Sequence, residues 1–162
     1  DCDAAEHHYI EADQILSTLG SALLHVNTFK RGVGFAMQRD WERVREQLDI
    51  LPPEEKLVPR ARADAGILRA CYAAYQGDAA RFTAELDRAL EGLLEDTDAH
   101  PDQTVLLRLS REQWERHGRL DLAGACAVSL TRVATKLEQP HLDTTAPIDA
   151  TRSLWSKVTP AG

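Results

Sequence analysis

The sequence is poor in the residues that build sheets. Aromatics make up 6% of its 162 residues and Val and Ile are thin, while Leu, Ala and Arg dominate, which is a composition of helices. It has no run of about eighteen uncharged apolar residues, so no segment is suited to crossing a bilayer, and no charged start leads into an apolar signal core. A soluble chain is expected. Positive charge is in deficit: 26 acidic side chains stand against 19 basic ones, a formal net charge of −7, so a phosphate backbone would meet net repulsion. Nucleic acid is excluded as an expected direct ligand.

Cysteine is scarce and without pattern. Cys2, Cys71 and Cys126 are odd in number and far apart, with no close pair of the kind that forms a zinc knuckle or a redox dithiol. Cys71 and Cys126 fall on apolar helix faces, where a free thiol behaves as a small hydrophobe, and this favours a reducing, cytoplasmic setting. The chain opens on Asp1 and not on methionine, which predicts that an upstream piece has been removed. An exported or periplasmic protein is the alternative location if that piece was a signal. Cys2 would then be a candidate lipid-carrying residue, although Asp1 precedes it.

Catalytic signatures are missing as well. Ser17, Ser21, Ser110 and Ser129 sit in no Gly-x-Ser-x-Gly elbow, no Gly-x-x-x-x-Gly-Lys loop occurs, and His25, His100, His117 and His141 are scattered between helix and turn positions. His7 and His8 beside Glu6 and Glu11 invite a metal reading, since His7 and Glu11 share a helical face at i and i+4. A carboxylate-bridged di-iron bundle wants two Glu-x-x-His pairs from different helices, and neither is present in that form. The expectation is a protein without enzymatic activity, metal or cofactor.

What the chain does have is apolar residues at helical spacing, punctuated by Gly and Pro. Asp3 and Glu6 have the form of a capping box, so a helix should begin near Ala4. Ile15, Leu19, Ala22, Val26 and Phe29 read as one stripe, with a break expected near Gly20. Asp40 caps a helix whose inward face is Trp41, Val44, Leu48 and Leu51, ended by Pro52 and Pro53. Three further stripes run through Ile67 to Tyr75, Phe82 to Leu93 and Val105 to Trp114, and a last through Leu122, Cys126, Leu130, Val133 and Leu137. Residues 139–162 hold a short apolar cluster, Ile148, Leu154, Trp155 and Val158, which reads as a tail or a capping helix docked to cover Trp155.

Two stretches nearly repeat each other. "QRDWERVREQL" (Gln38 to Leu48) and "QGDAARFTAEL" (Gln76 to Leu86) share four of eleven residues at a constant offset of 38. Short turns at Gln38 to Asp40, Gln76 to Asp78 and Gly118 to Asp121 force antiparallel pairs, giving hairpins over about 21–51, 60–95 and 102–138 behind an N-terminal helix. At these residues the chain resembles the tetratricopeptide repeat family. "YQGDAARFTAELDRALE" (Tyr75 to Glu91) is similar to that family's turn and second helix, with Gly77 and Asp78 at the turn and Ala89 and Leu90 at late small and apolar positions. "HGRLDLA" (His117 to Ala123) is similar too, with Trp114 on the preceding helix where the family places an aromatic.

Departures accompany the likeness. Arg39 replaces the turn glycine, Val44 and Phe82 stand where alanine is preferred, and Ala73 stands where an aromatic is expected. Turn-to-turn spacings of 38 and 41 residues exceed the family's roughly 34. The resemblance implies an all-α fold of six or seven helices: stacked antiparallel hairpins in a short right-handed α-solenoid, residues 1–138, closed by 139–162. It also implies a protein or peptide partner held on a concave side lined by first helices. On this chain those contacts would be Arg31, Phe35, Gln38, Arg69, Tyr72, Arg108 and Arg111.

Such a module would act as a scaffold or regulatory domain, since repeats of about 40 residues also build the helical arms of signal-transducing bacterial activators. Two alternatives stand beside it. One is a small-molecule sensor or enzyme with a pocket between hairpins at His25 or His117; the other is a self-association domain forming a homodimer.

Overall fold

The computed structural model describes residues 2–18, 24–95 and 100–137. Among them are seven helices and no strand: α1 (Cys2–Thr18), α2 (Leu24–Gln38), α3 (Trp41–Ile50), α4 (Pro59–Gln76), α5 (Ala79–Glu95), α6 (Pro101–Arg116) and α7 (Leu120–Lys136). A single 3-10 turn, Glu54–Lys56, lies between α3 and α4. The all-α stack of helical hairpins expected from the sequence is what forms: α2 with α3, α4 with α5, and α6 with α7. The expected docking of Trp155 and its neighbours lies outside the described residues.

Three turns of one geometry make the hairpins. Arg39, Gly77 and Gly118 are the described residues with positive φ, at 64°, 75° and 71°. In each turn that residue's N–H bonds back three positions, to Ala36, Ala74 and Glu115, at 3.0, 3.2 and 3.1 Å. The following N–H reaches back five, to Phe35, Ala73 and Trp114, at 3.0, 3.0 and 2.9 Å. This double bond satisfies the last carbonyls of a helix and requires the left-handed conformation that glycine adopts without strain. Asp40 and Asp78 then accept from the amides of Arg43 and Arg81 at 3.2 and 3.0 Å, capping α3 and α5. Arg39 takes this conformation without being glycine, and its side chain crosses to an ion pair with Glu112 on α6, tying the first hairpin to the third.

The core is centred on α4. Ala63, Ile67, Leu68, Ala70, Cys71, Ala73 and Ala74 are all buried, facing α5 on one side and α2 and α6 on others. Small residues allow this crowding: a Cβ on Gly66 would stand 2.8 Å from that of Ala89, so α4 and α5 approach there at backbone distance. Phe82 and Trp114 meet edge to face at 5.2 Å, filling the space between the second and third hairpins. Val44, Phe82 and Ala123, each in the first turn of a second helix, are fully buried, so a large side chain in two hairpins is balanced by a small one in the third.

One polar link crosses this core. Gln103 is wholly buried; its amide nitrogen donates to Asp64 at 2.8 Å, and its carbonyl oxygen accepts from the His100 amide at 3.0 Å. The start of α6 is thereby fixed to the middle of α4. A smaller cluster, Leu51, Leu57, Ala61 and Ala65, closes the far end of the first hairpin beneath the Pro52 to Val58 connection.

The N-terminal helix is attached differently. No residue of α1 whose burial is described is fully buried. Ile15, expected to begin an apolar stripe, is 61% exposed. Of the stripe that sequence spacing traces from Ile15 to Phe29, Ile15 stands on α1 while Val26 and Phe29 stand on α2, and of these three only Phe29 is buried. Polar contacts hold α1 instead: the Asn27 amide donates to the Tyr9 carbonyl at 2.8 Å and to Asp13 at 2.6 Å, and Arg31 donates to Asp13 at 2.8 Å. Glu6 receives Arg43 from α3 at 2.8 Å.

Candidate functional site

Docking α1 on α2 through side-chain tips leaves a space between the two backbones. This cleft, about 350 Å³, is lined by Tyr9 and Glu6 of α1 and by Lys30, Arg31, Gly34, Phe35, Met37 and Gln38 of α2. Phe35 in its lining is buried and lies near two guanidinium groups, with the Arg31 and Arg43 carbons 5.9 and 5.2 Å from the ring centroid. A Cβ at Gly34 would meet nothing within 4 Å, so the absent side chain is part of the opening. Met37, 60% exposed, stands at its edge as an adaptable apolar wall.

The cations around the cleft are engaged within the protein. Lys30 pairs with Asp102 and lies 3.0 Å from His100 Nε2; Arg31 pairs with Asp13, and Arg43 with Glu6. With its charges neutralised laterally, the opening presents aromatic, thioether and methylene surface, with the Gln38 amide at one edge. Such a surface receives an apolar side chain and offers a hydrogen bond to the backbone beside it.

Three of the seven expected contact residues, Arg31, Phe35 and Gln38, converge on this cleft. The others do not join them. Arg69, half-buried on α4, lies 4.0 Å from Glu54; Tyr72 is buried and packs near Tyr75; Arg108 is exposed on α6; and Arg111 pairs with Glu115 at 2.8 Å along its own helix. α2, α4 and α6 pack on one another pairwise, so side chains at equivalent positions do not share one open face. Tyr9, Gly34 and Met37 were not signalled by helical spacing, because the cleft depends on where α1 lies.

A second cavity, about 300 Å³, opens where α2 begins. Its lining is Leu24, His25 and Thr28 of α2, Ile50 and Pro52 after α3, and Lys56, Leu57 and Val58 of the connection to α4. Burial lowers the His25 pKa, with the negative charge of Asp64 partly opposing it, so the ring stays neutral near pH 7. His117, the other histidine expected near a pocket, is exposed at the third turn, 3.3 Å from the Tyr75 carbonyl.

Cys71 and Cys126 are buried and free, and burial pushes the Cys71 thiol up to about 12 and Cys126 upward as well, which makes them inert. His7 Nε2 and Glu11 lie 3.4 Å apart on an exposed face, and no group of three or more His, Cys, Asp or Glu able to hold a metal occurs among the described residues. No described helix is long and apolar enough to cross a membrane. Comparison of the chain with protein-family models, curated proteins and solved structures finds no match.

Proposed function

We propose that this chain is a non-catalytic interaction module that grips a protein or peptide partner at the cleft between α1 and α2. The observation carrying the reading is the convergence of Arg31, Phe35 and Gln38 with Met37 and Gly34 around one apolar opening. The common geometry of the three turns supports reading the hairpins as divergent repeats of the tetratricopeptide kind, a scaffold whose ordinary use is to present side chains to a partner. A regulatory or scaffolding role within a larger protein fits the same module. The partner's contribution is one exposed apolar side chain seated over Phe35, with its neighbouring backbone held by Gln38.

The test is selection of peptides on the immobilised protein, followed by fluorescence polarisation with Gly34→Leu and Met37→Glu. A Cβ at Gly34 meets nothing within 4 Å, so Gly34→Leu should occupy the opening with melting little changed while the selected peptides lose affinity tenfold or more, on the order of 1.4 kcal/mol. Peptides that bind both variants as tightly as the parent would overturn the assignment.

A further inference from the structure

The cavity at the start of α2 has a chemistry of its own. Its apolar walls are aliphatic, namely Leu24, Ile50, Pro52, Leu57 and Val58, and no Phe, Tyr or Trp is among the described residues that line it. Ile50 and Val58 stand at its rim 60% and 50% exposed, an uncovered apolar surface on both sides of the opening. Its floor is Leu57, which is buried and belongs to the small cluster with Leu51, Ala61 and Ala65, so the wall behind the space is packed protein.

Polar groups enter from two elements, and those free to act are donors. Lys56, at the end of the 3-10 turn, has no ion-pair partner among the described residues, unlike Lys30 at the other cleft. The neutral His25 ring carries one N–H, hydrogen-bonded to none of the described residues. Thr28 has its hydroxyl hydrogen committed to the Leu24 carbonyl at 3.1 Å and turns the rest of its short side chain to the space. An ammonium without an ion-pair partner among the described residues, and a ring N–H beside an aliphatic chamber, match a molecule with one anionic, two-oxygen head and a short saturated body.

We propose that this cavity binds a small aliphatic monocarboxylate, its carboxylate between Lys56 and His25 and its chain against Leu57, Ile50 and Val58. The volume of about 300 Å³ lies at the small end of ligand pockets, which selects a short or medium chain over a long one. The site is separate from the α1–α2 cleft, so the chain would combine a metabolite site with a partner site.

The experiment uses the full chain and titrates hexanoate, octanoate and the neutral octanamide by calorimetry and by histidine-ring NMR. Octanoate should bind and shift the His25 ring signals, with octanamide weaker by tenfold or more. Lys56→Ala, an exposed position, should weaken octanoate about tenfold, Ile50→Glu should abolish it, and Gly34→Leu should leave it unchanged. Failure of every carboxylate at millimolar concentration would overturn the site, as would octanoate binding indifferent to Lys56→Ala or octanamide binding as tightly as octanoate. Loss of octanoate in Gly34→Leu would place the ligand in the other cleft and equally defeat the proposal. Lys56-dependent capture by anionic phospholipid vesicles without free carboxylate binding would assign the cation to a membrane surface instead.

Discussion

Helices α1 and α4 have nearly the same length and are held by opposite means. α4 buries small and aliphatic side chains on nearly every side, whereas α1 keeps no described residue fully buried and relies on Asp13, Glu6, Asn27, Arg31 and Arg43. Apolar burial is insensitive to salt and lost only when the core opens, while ion pairs among partly exposed side chains weaken as salt rises. One helix therefore belongs to the fold and the other is an attachment to it. The candidate partner cleft lies along the attachment.

Four changes test that contrast, taken from the largest effect down. Leu86→Asp places a carboxylate in the α4–α5 contact and should cost more than the roughly 2–5 kcal/mol typical of losing a buried leucine, abolishing the cooperative melt in circular dichroism. A melt like the parent's would mean that α4 is not the centre of stability. Next comes alkali. The folded Cys71 thiol stays neutral to about 12, while the unfolded one ionises from its ordinary value of 9.0. The unfolded state therefore releases its proton first, and this stability, complete below pH 9, is lost by roughly 4 kcal/mol as pH climbs toward 12. Denaturant titrations of the parent against Cys71→Ala should converge over that window; parallel curves would remove the thiol from the account.

Asp13→Ala should cost about 1–3 kcal/mol, confined to α1, because it strips partners from both Asn27 and Arg31. Hydrogen exchange should quicken in residues 2–18 and not in α4, and raised salt should reproduce the pattern in the parent. Uniform quickening would show that the two helices are one cooperative unit. Smallest is Arg39→Gly, which relieves a left-handed backbone worth about 1–2 kcal/mol and gives up an exposed pair with Glu112 worth 1 kcal/mol or less by the usual measure, ~0–1 kcal/mol. The variant should melt slightly higher than the parent, most clearly in high salt, where the pair is screened; a lower melting temperature at all salts would show that the cross-hairpin tie outweighs the strain.

The contrast also separates what could be read from the residues alone from what could not. Gly77 and Gly118 announced their turns, and Arg39 was located by alignment with Gly77 although its side chain favours no such conformation. Local rules suffice there, because a turn is decided by five or six neighbours. Leu86, Phe82 and Cys126 were legible for a similar reason, since a stripe on a well-buried helix faces one way. Ile15 was misleading because its spacing continued that of Val26 and Phe29, although it stands on α1 and they stand on α2. The α1–α2 cleft and the His25 cavity were not legible, since each joins residues of separate elements whose approach is set by tertiary packing. Lys30 with Asp102, and Asp64 with Gln103, share that character: each partner taken alone is an ordinary polar residue on a helix.

The three tight reversals at Arg39, Gly77 and Gly118 gather at one pole of the stack, where Arg39 reaches Glu112 and His117 lies over Gly77. The longer passage at residues 51–58, with its 3-10 turn Glu54–Lys56, joins the first two hairpins away from these reversals. The hairpins are thus tied tight at their reversals and joined by a longer strap at residues 51–58. Guest sequence grafted near Pro53 should be accommodated, whereas even a single inserted residue at Gly77 would throw two helices out of step.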